Sequence, residues 1–85
     1  MEYVDNRVIT IGGFEVDERV QSHEIHPDIM KVVRKTLKVN KTLVGAATDL
    51  GVERQRLDSI KNGSCHPKTY IKVLKKLVAD EKIPA

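Results

Sequence analysis

Residues 42–63, TLVGAATDLGVERQRLDSIKNG, constrain the fold of this chain more than any other stretch. Leu43, Ala47 and Leu50 recur at helical spacing, and Gly51 follows where a helix stops on a residue free to turn left-handed. Asn40 and Thr42 are both competent caps for that helix. Leu57 and Ile60 belong to a second short helix, from about Glu53 to Lys61, which Asn62-Gly63 breaks. Two helices meeting at a sharp angle need a small residue where their backbones approach, and Ala47 supplies it. Val52, Leu57 and Ile60 then close the inner side of the turn and of the second helix.

The flanking segments give this pair its setting. Residues 6–20, NRVITIGGFEVDERV, read as a β-hairpin, with Gly12-Gly13 as a two-residue turn of positive φ. That turn sets Ile11 opposite Phe14, Ile9 opposite Val16 and Arg7 opposite Glu18. The other face carries Thr10 opposite Glu15 and Val8 opposite Asp17. A lone hairpin is marginal in water, so the apolar face needs helices or another chain to cover it. Pro27 fits the first turn of a helix presenting Ile29, Val32, Val33, Thr36 and Leu37. A last helix from about Pro67 to Asp80 carries Tyr70, Val73, Leu74, Leu77 and Val78 as one stripe. The expected fold is mainly α, with four to five helices after an N-terminal hairpin. Residues 1–26 form the hairpin arm and linker, the expected dimerisation element through Ile9, Ile11, Phe14 and Val16. Residues 27–85 form the helical domain.

Eighty-five residues make one domain, and with Tyr3, Phe14 and Tyr70 as the whole aromatic supply its core is aliphatic. Cys65 is the only cysteine, which excludes an internal disulfide and suits a reducing compartment. No apolar run approaches the roughly 20 residues of a membrane span, and Met1–Val20 lacks a signal-peptide pattern. A cytoplasmic location without membrane contact is the expectation. The net charge of +3 is unevenly spread. The first 27 residues hold two arginines against six carboxylates, and the remainder thirteen Lys/Arg against six. Phosphate repels the first segment and favours the second through counterion release, so the back two-thirds is expected to face any nucleic acid.

Burial of Leu57 and Ile60 leaves Arg54, Gln55, Asp58 and Ser59 outward, with Arg56 towards the flank. Two helices joined this way, with Arg and Gln opening the second, match the geometry of a helix-turn-helix. Such a motif lays its second helix in the DNA major groove. Arg forks onto guanine and Gln onto adenine there.

At Thr42, Ala47, Leu50-Gly51-Val52, Arg54, Leu57, Ile60, Asn62-Gly63 and Pro67 the chain resembles the phage repressor and Cro type of helix-turn-helix protein. The matching elements span about 26 residues, and the family's five-helix domain would cover roughly residues 27–83. The resemblance implies a compact helical domain binding operator DNA, as a homodimer, in the role of a transcriptional repressor. It places base-reading side chains at Arg54, Gln55 and Ser59, with Asp58 nearby. Phosphate contacts map to Thr42 and Leu43 and to the loop Lys61, Asn62 and Ser64, with Arg56 and Lys68 as further basic candidates. The chain departs from the family pattern at Leu43, where a polar residue is usual, and at Glu53, which replaces a Ser/Thr cap. Gly45 sits inside a helix, the fifth helix is nearly absent, and the hairpin is an addition.

Other chemistry is poorly supplied. His23, Glu24, His26, Cys65 and His66 lack the four-ligand spacing of a structural zinc site, so no metal and no cofactor is expected. No nucleophile–base set can be assembled, which argues against an enzyme. Single-stranded or RNA binding relies on stacking platforms that this chain barely has. The competing expectation is an antitoxin-like interaction module whose hairpin binds a protein partner.

Overall fold

Gly12 at φ +60° and Gly13 at φ +84° turn strand β1 (Val8–Ile11) back into β2 (Phe14–Asp17). A two-residue turn with both central φ values positive matches the right-handed twist of its strands. The register pairs Ile11 with Phe14, Ile9 with Val16, Thr10 with Glu15 and Val8 with Asp17, as the sequence predicts. Beyond β2, the Arg19 guanidinium donates to both Asp17 carboxylate oxygens at 2.8 Å. Those bonds hold the Asp17 carboxyl down at about 2. The structure is a computed structural model describing residues 8–83. The expected Arg7–Glu18 pair lies outside the described residues.

Two helices of equal length begin the same way. In α1 (Pro27–Val39), Pro27 opens the helix and His26 Nδ1 accepts from the Asp28 N–H at 3.1 Å. In α4 (Pro67–Ala79), Pro67 opens it and His66 Nδ1 accepts from the Lys68 N–H at 3.1 Å. Proline loses nothing there, because first-turn amides have no intrahelical acceptor. Between them lie α2 (Leu43–Leu50), a 3-10 turn over Arg54–Arg56, and α3 (Leu57–Lys61). The helix expected from about Glu53 to Lys61 is found over residues 54–61, its first turn being 3-10 and the rest α. Glu53 makes no side-chain capping bond, and the Arg56 N–H closes onto Glu53 O at 2.9 Å. A two-residue antiparallel pair, β3 (His23–Glu24) with β4 (Ser64–Cys65), ties the linker to the segment after α3.

After α4 the chain turns back. Glu81 has φ +58°, Lys82 N–H donates to Leu77 O at 2.8 Å, and Ile83 folds onto the core. That core gathers Ile29 and Val33 of α1, Leu50 of α2, Leu57 and Ile60 of α3, and Tyr70, Val73, Leu74 and Leu77 of α4. No helix among the described residues is long and apolar enough to cross a membrane.

The hairpin is not a detached arm. Val16 is 0 % exposed and belongs to the same core, with Ile9, Ile11 and Phe14 half-buried against it, while both strands contact α4. This corrects the assignment of Val16 to a dimer contact, while Ile9, Ile11 and Phe14 are partly covered by the chain's own core. The physical reason is that Val16 projects directly opposite Ile9 and carries the row of side chains into the helical core.

Cys65 yields a measurable consequence. It is buried in the core, and burial pushes its thiol up to about 11. The thiolate is the reactive form, so alkylation of the native protein at pH 8 is expected to track unfolding, with rapid labelling only in denaturant. The folded state also holds this proton more tightly than the unfolded chain. Its contribution to stability is complete below the ordinary thiol range and is lost as pH rises through about 11. Labelling at the free-thiol rate without denaturant would contradict the placement.

Candidate nucleic-acid interface

Leu57 and Ile60 anchor α3 at 1 % and 0 % exposure, so its opposite side is presented to solvent. Arg54, Gln55, Arg56, Asp58 and Ser59 are all exposed. At helical spacing Gln55, Asp58, Ser59 and Asn62 form one ridge, flanked on opposite sides by Arg54 and Arg56. The ridge is held from behind. Val52 N–H donates to Ala47 O at 3.0 Å and Gly51 N–H to Thr48 O at 3.1 Å, which closes α2 in a Schellman arrangement. Asn62 N–H closes α3 by donating to Ser59 O at 3.1 Å.

Unpaired cations surround the ridge. Among the described residues Arg54, Arg56, Lys61, Lys68 and Lys72 take part in no ion pair. Arg56 and Lys72 border a cleft of about 70 Å³ together with Glu53 and Thr69. This brings a cation of α4 beside the start of α3, a pairing that no sequence spacing displays. At the head of α2, Thr42 Oγ accepts from the Gly45 N–H at 3.1 Å. The amides of Leu43 and Val44 have no intrahelical acceptor and form the positive end of the helix dipole. Leu43 itself is 40 % exposed and apolar, so any phosphate contact there uses its backbone.

Ser64 fares differently from the other residues expected to meet phosphate. It pairs with Glu24 in the β3–β4 ladder, so both side chains project to the same face. A carboxylate on the same face as the hydroxyl disfavours phosphate at Ser64. The same pair brings one residue of the acidic N-terminal segment close to the loop after α3.

Asn40 carries a role that the sequence reading missed. Its Nδ2 donates to Thr36 O at 2.8 Å and to Asp49 Oδ2 at 2.9 Å, bridging α1 and α2. A Cβ on Gly45 would stand 2.9 Å from Asn40 Oδ1 and 3.2 Å from Thr42 Oγ. The glycine inside α2 therefore makes room for the two capping side chains before it. A helix-interior glycine shortly after a helix-ending Asn was the available signal.

A wider groove lies elsewhere. A groove of about 680 Å³ is bordered by Phe14, His23, His26 and Tyr70 with the carboxylates of Glu15, Glu24 and Asp28, and among the described residues no Lys or Arg lines it. Tyr70 Oη accepts from the His26 N–H at 3.1 Å, and the Phe14 ring meets His26 edge-on at 4.9 Å. Its charge is wrong for phosphate. Among the described residues no group of three or more His, Cys, Asp or Glu side chains could hold a metal ion. Comparison with known protein families, with curated protein sequences and with solved structures finds no match.

Proposed function

We propose that this chain is a sequence-specific double-stranded DNA-binding protein of the repressor and Cro helix-turn-helix type, acting as a transcriptional repressor. The observation that carries the reading is the exposed ridge of Gln55, Asp58, Ser59 and Asn62 with Arg54 and Arg56 at its flanks, on a short helix anchored by Leu57 and Ile60. Arg54 and Gln55 read base edges, Ser59 and Asp58 complete the readout, and Asp58 suits a cytosine amino group. Thr42, Leu43, Arg56, Lys61, Asn62 and Lys68 fix the register on phosphates. Lys72 joins them through its cleft with Arg56. Occupation of promoter DNA would then exclude polymerase.

A two-fold operator calls for two copies with half-sites about 34–36 Å apart. Val16 is fully buried in its own chain and contributes nothing to the contact between them. Selection of bound duplexes from a random pool tests the whole reading, because a two-fold motif reports the dimer directly. Arg54→Ala and Gln55→Ala are each expected to cost about 1–3 kcal/mol and to relax preference at one position per half-site. A selected motif that both variants leave unchanged would remove Arg54 and Gln55 from the base-reading role.

A second reading, a protein-interaction module of antitoxin-like type, draws on the groove at Phe14, His23 and His26 rather than on the hairpin's apolar face. Its three carboxylates suit a cationic segment of a protein partner. A pool selection that enriches no duplex favours this reading over the first.

A further inference from the structure

We infer that the outward side of α1 is a second, sequence-independent phosphate-binding surface, separate from the α3 ridge. Lys31, Arg34, Lys35 and Lys38 are all exposed and recur at i, i+3, i+4 and i+7, opposite the buried Ile29, Val33 and Thr36. No carboxylate interrupts the stripe, and among the described residues none of the four takes part in an ion pair. Like charges at these spacings repel and destabilise a helix, and a merely solvated helix face relieves that with opposite charges at i+4. The C-terminal turn adds a fifth cation: Lys82 and Lys35 line one groove of about 340 Å³ with Val32, Thr36 and Val39. Two separate elements thus converge in charge on one face.

The occupant follows from chemistry. The seven helical steps from Lys31 to Lys38 span about 10 Å, a length over which duplex DNA presents roughly six phosphate charges. Protein interfaces deplete lysine at their centres, which disfavours a protein partner. A membrane-surface helix needs its apolar face free, and that of α1 is buried in the core. The phosphate backbone of nucleic acid is the remaining fit. It comes from the flank of the same duplex that α3 holds.

This inference rests on the DNA-binding reading, and its test separates the two. The full chain is titrated with a random-sequence duplex of about 30 base pairs across a range of NaCl concentrations. The comparison is the variant Lys31→Gln, Arg34→Gln, Lys35→Gln and Lys38→Gln combined. The expected result is a salt slope shallower by roughly three to four, with affinity near 0.1 M salt falling roughly eightfold for each phosphate no longer neutralised. An all-arginine version of the same four positions is expected to keep the slope. The base preference set by Arg54 and Gln55 should persist in both variants. Capture of a second, labelled duplex by protein already saturated with the first overturns the placement on one duplex; its failure, with the slope change retained, supports it. A glutamine variant with an unchanged slope overturns the inference and leaves the α3 reading intact. Wild-type protein that binds no duplex overturns both. Equal binding of polyglutamate or of anionic vesicles, abolished in the same variant, overturns the assignment to nucleic acid.

Discussion

Gly51→Val is expected to lower the thermal midpoint by roughly 15–30 °C, because two independent penalties fall on one position. The first is conformational. Gly51 has φ +73°, where an L-residue costs about 1–2 kcal/mol and a β-branched one more. The second is steric. A Cβ there would stand 3.0 Å from Lys76 Cβ and 3.1 Å from Lys76 Cγ, with Lys72 O at 3.6 Å. Those atoms belong to the body of α4, so relief needs the turn and α4 to separate, at a further cost of about 1–3 kcal/mol. The close approach at this turn therefore comes from α4, in addition to the small Ala46 and Ala47 buried inside α2.

Against a net stability of about 5–15 kcal/mol, a combined loss of roughly 3–5 kcal/mol is severe. Gly51→Asn separates the two contributions, since Asn tolerates the left-handed region yet still carries the Cβ. Its midpoint should fall between wild type and the valine variant. Circular dichroism melts of the three proteins decide it. A valine variant that melts with wild type would mean that the α2–α3 turn is not built as described.

The features that the sequence displayed are the locally determined ones. Gly12-Gly13 sets the hairpin register because a two-residue turn leaves no slack. Thr42 and Gly51 bound α2 because cap chemistry acts within about one turn of the helix end. The inward anchors Leu57 and Ile60 settled which residues of the candidate site are exposed. The 3-10 start of α3 was missed, because a Glu at the cap position shows only that a good cap is absent and not how the backbone then closes. His26 and His66 were missed as caps because imidazole is an uncommon acceptor there, and only the prolines beside them pointed to the helix starts. The β3–β4 pair is two residues long and has no periodicity to read, so the placement of Glu24 beside Ser64 could not be foreseen. The convergence of Lys72 on Arg56, and of Lys82 on Lys35, depends on how helices distant in sequence settle together.

Removal of residues 1–20 is expected to abolish cooperative folding rather than release a folded helical monomer. An alternating strand pattern shows that a hairpin has an apolar face, but what covers that face is decided by packing. Here Val16 is fully buried, and Ile9, Ile11 and Phe14 are half-buried on the same core. A fully buried aliphatic or aromatic side chain is worth about 1.5–3 kcal/mol, so one full and three partial burials contribute about 4–8 kcal/mol. That is comparable to the whole net stability of a domain this size. Deletion also uncovers the α4 surface on which both strands lie. Val16→Asp makes the same test without shortening the chain, since a carboxylate at a fully buried apolar position loses several kcal/mol. Ile9→Ser, at a half-buried site, should lower the midpoint much less. Thermal melts combined with solution mass distinguish core from arm. A dimer arm predicts that residues 21–85 remain folded with the wild-type midpoint and lose only their partner. A core element predicts a chain without a cooperative transition at any concentration. Retention of the wild-type midpoint by the truncated chain would sink this placement of the hairpin.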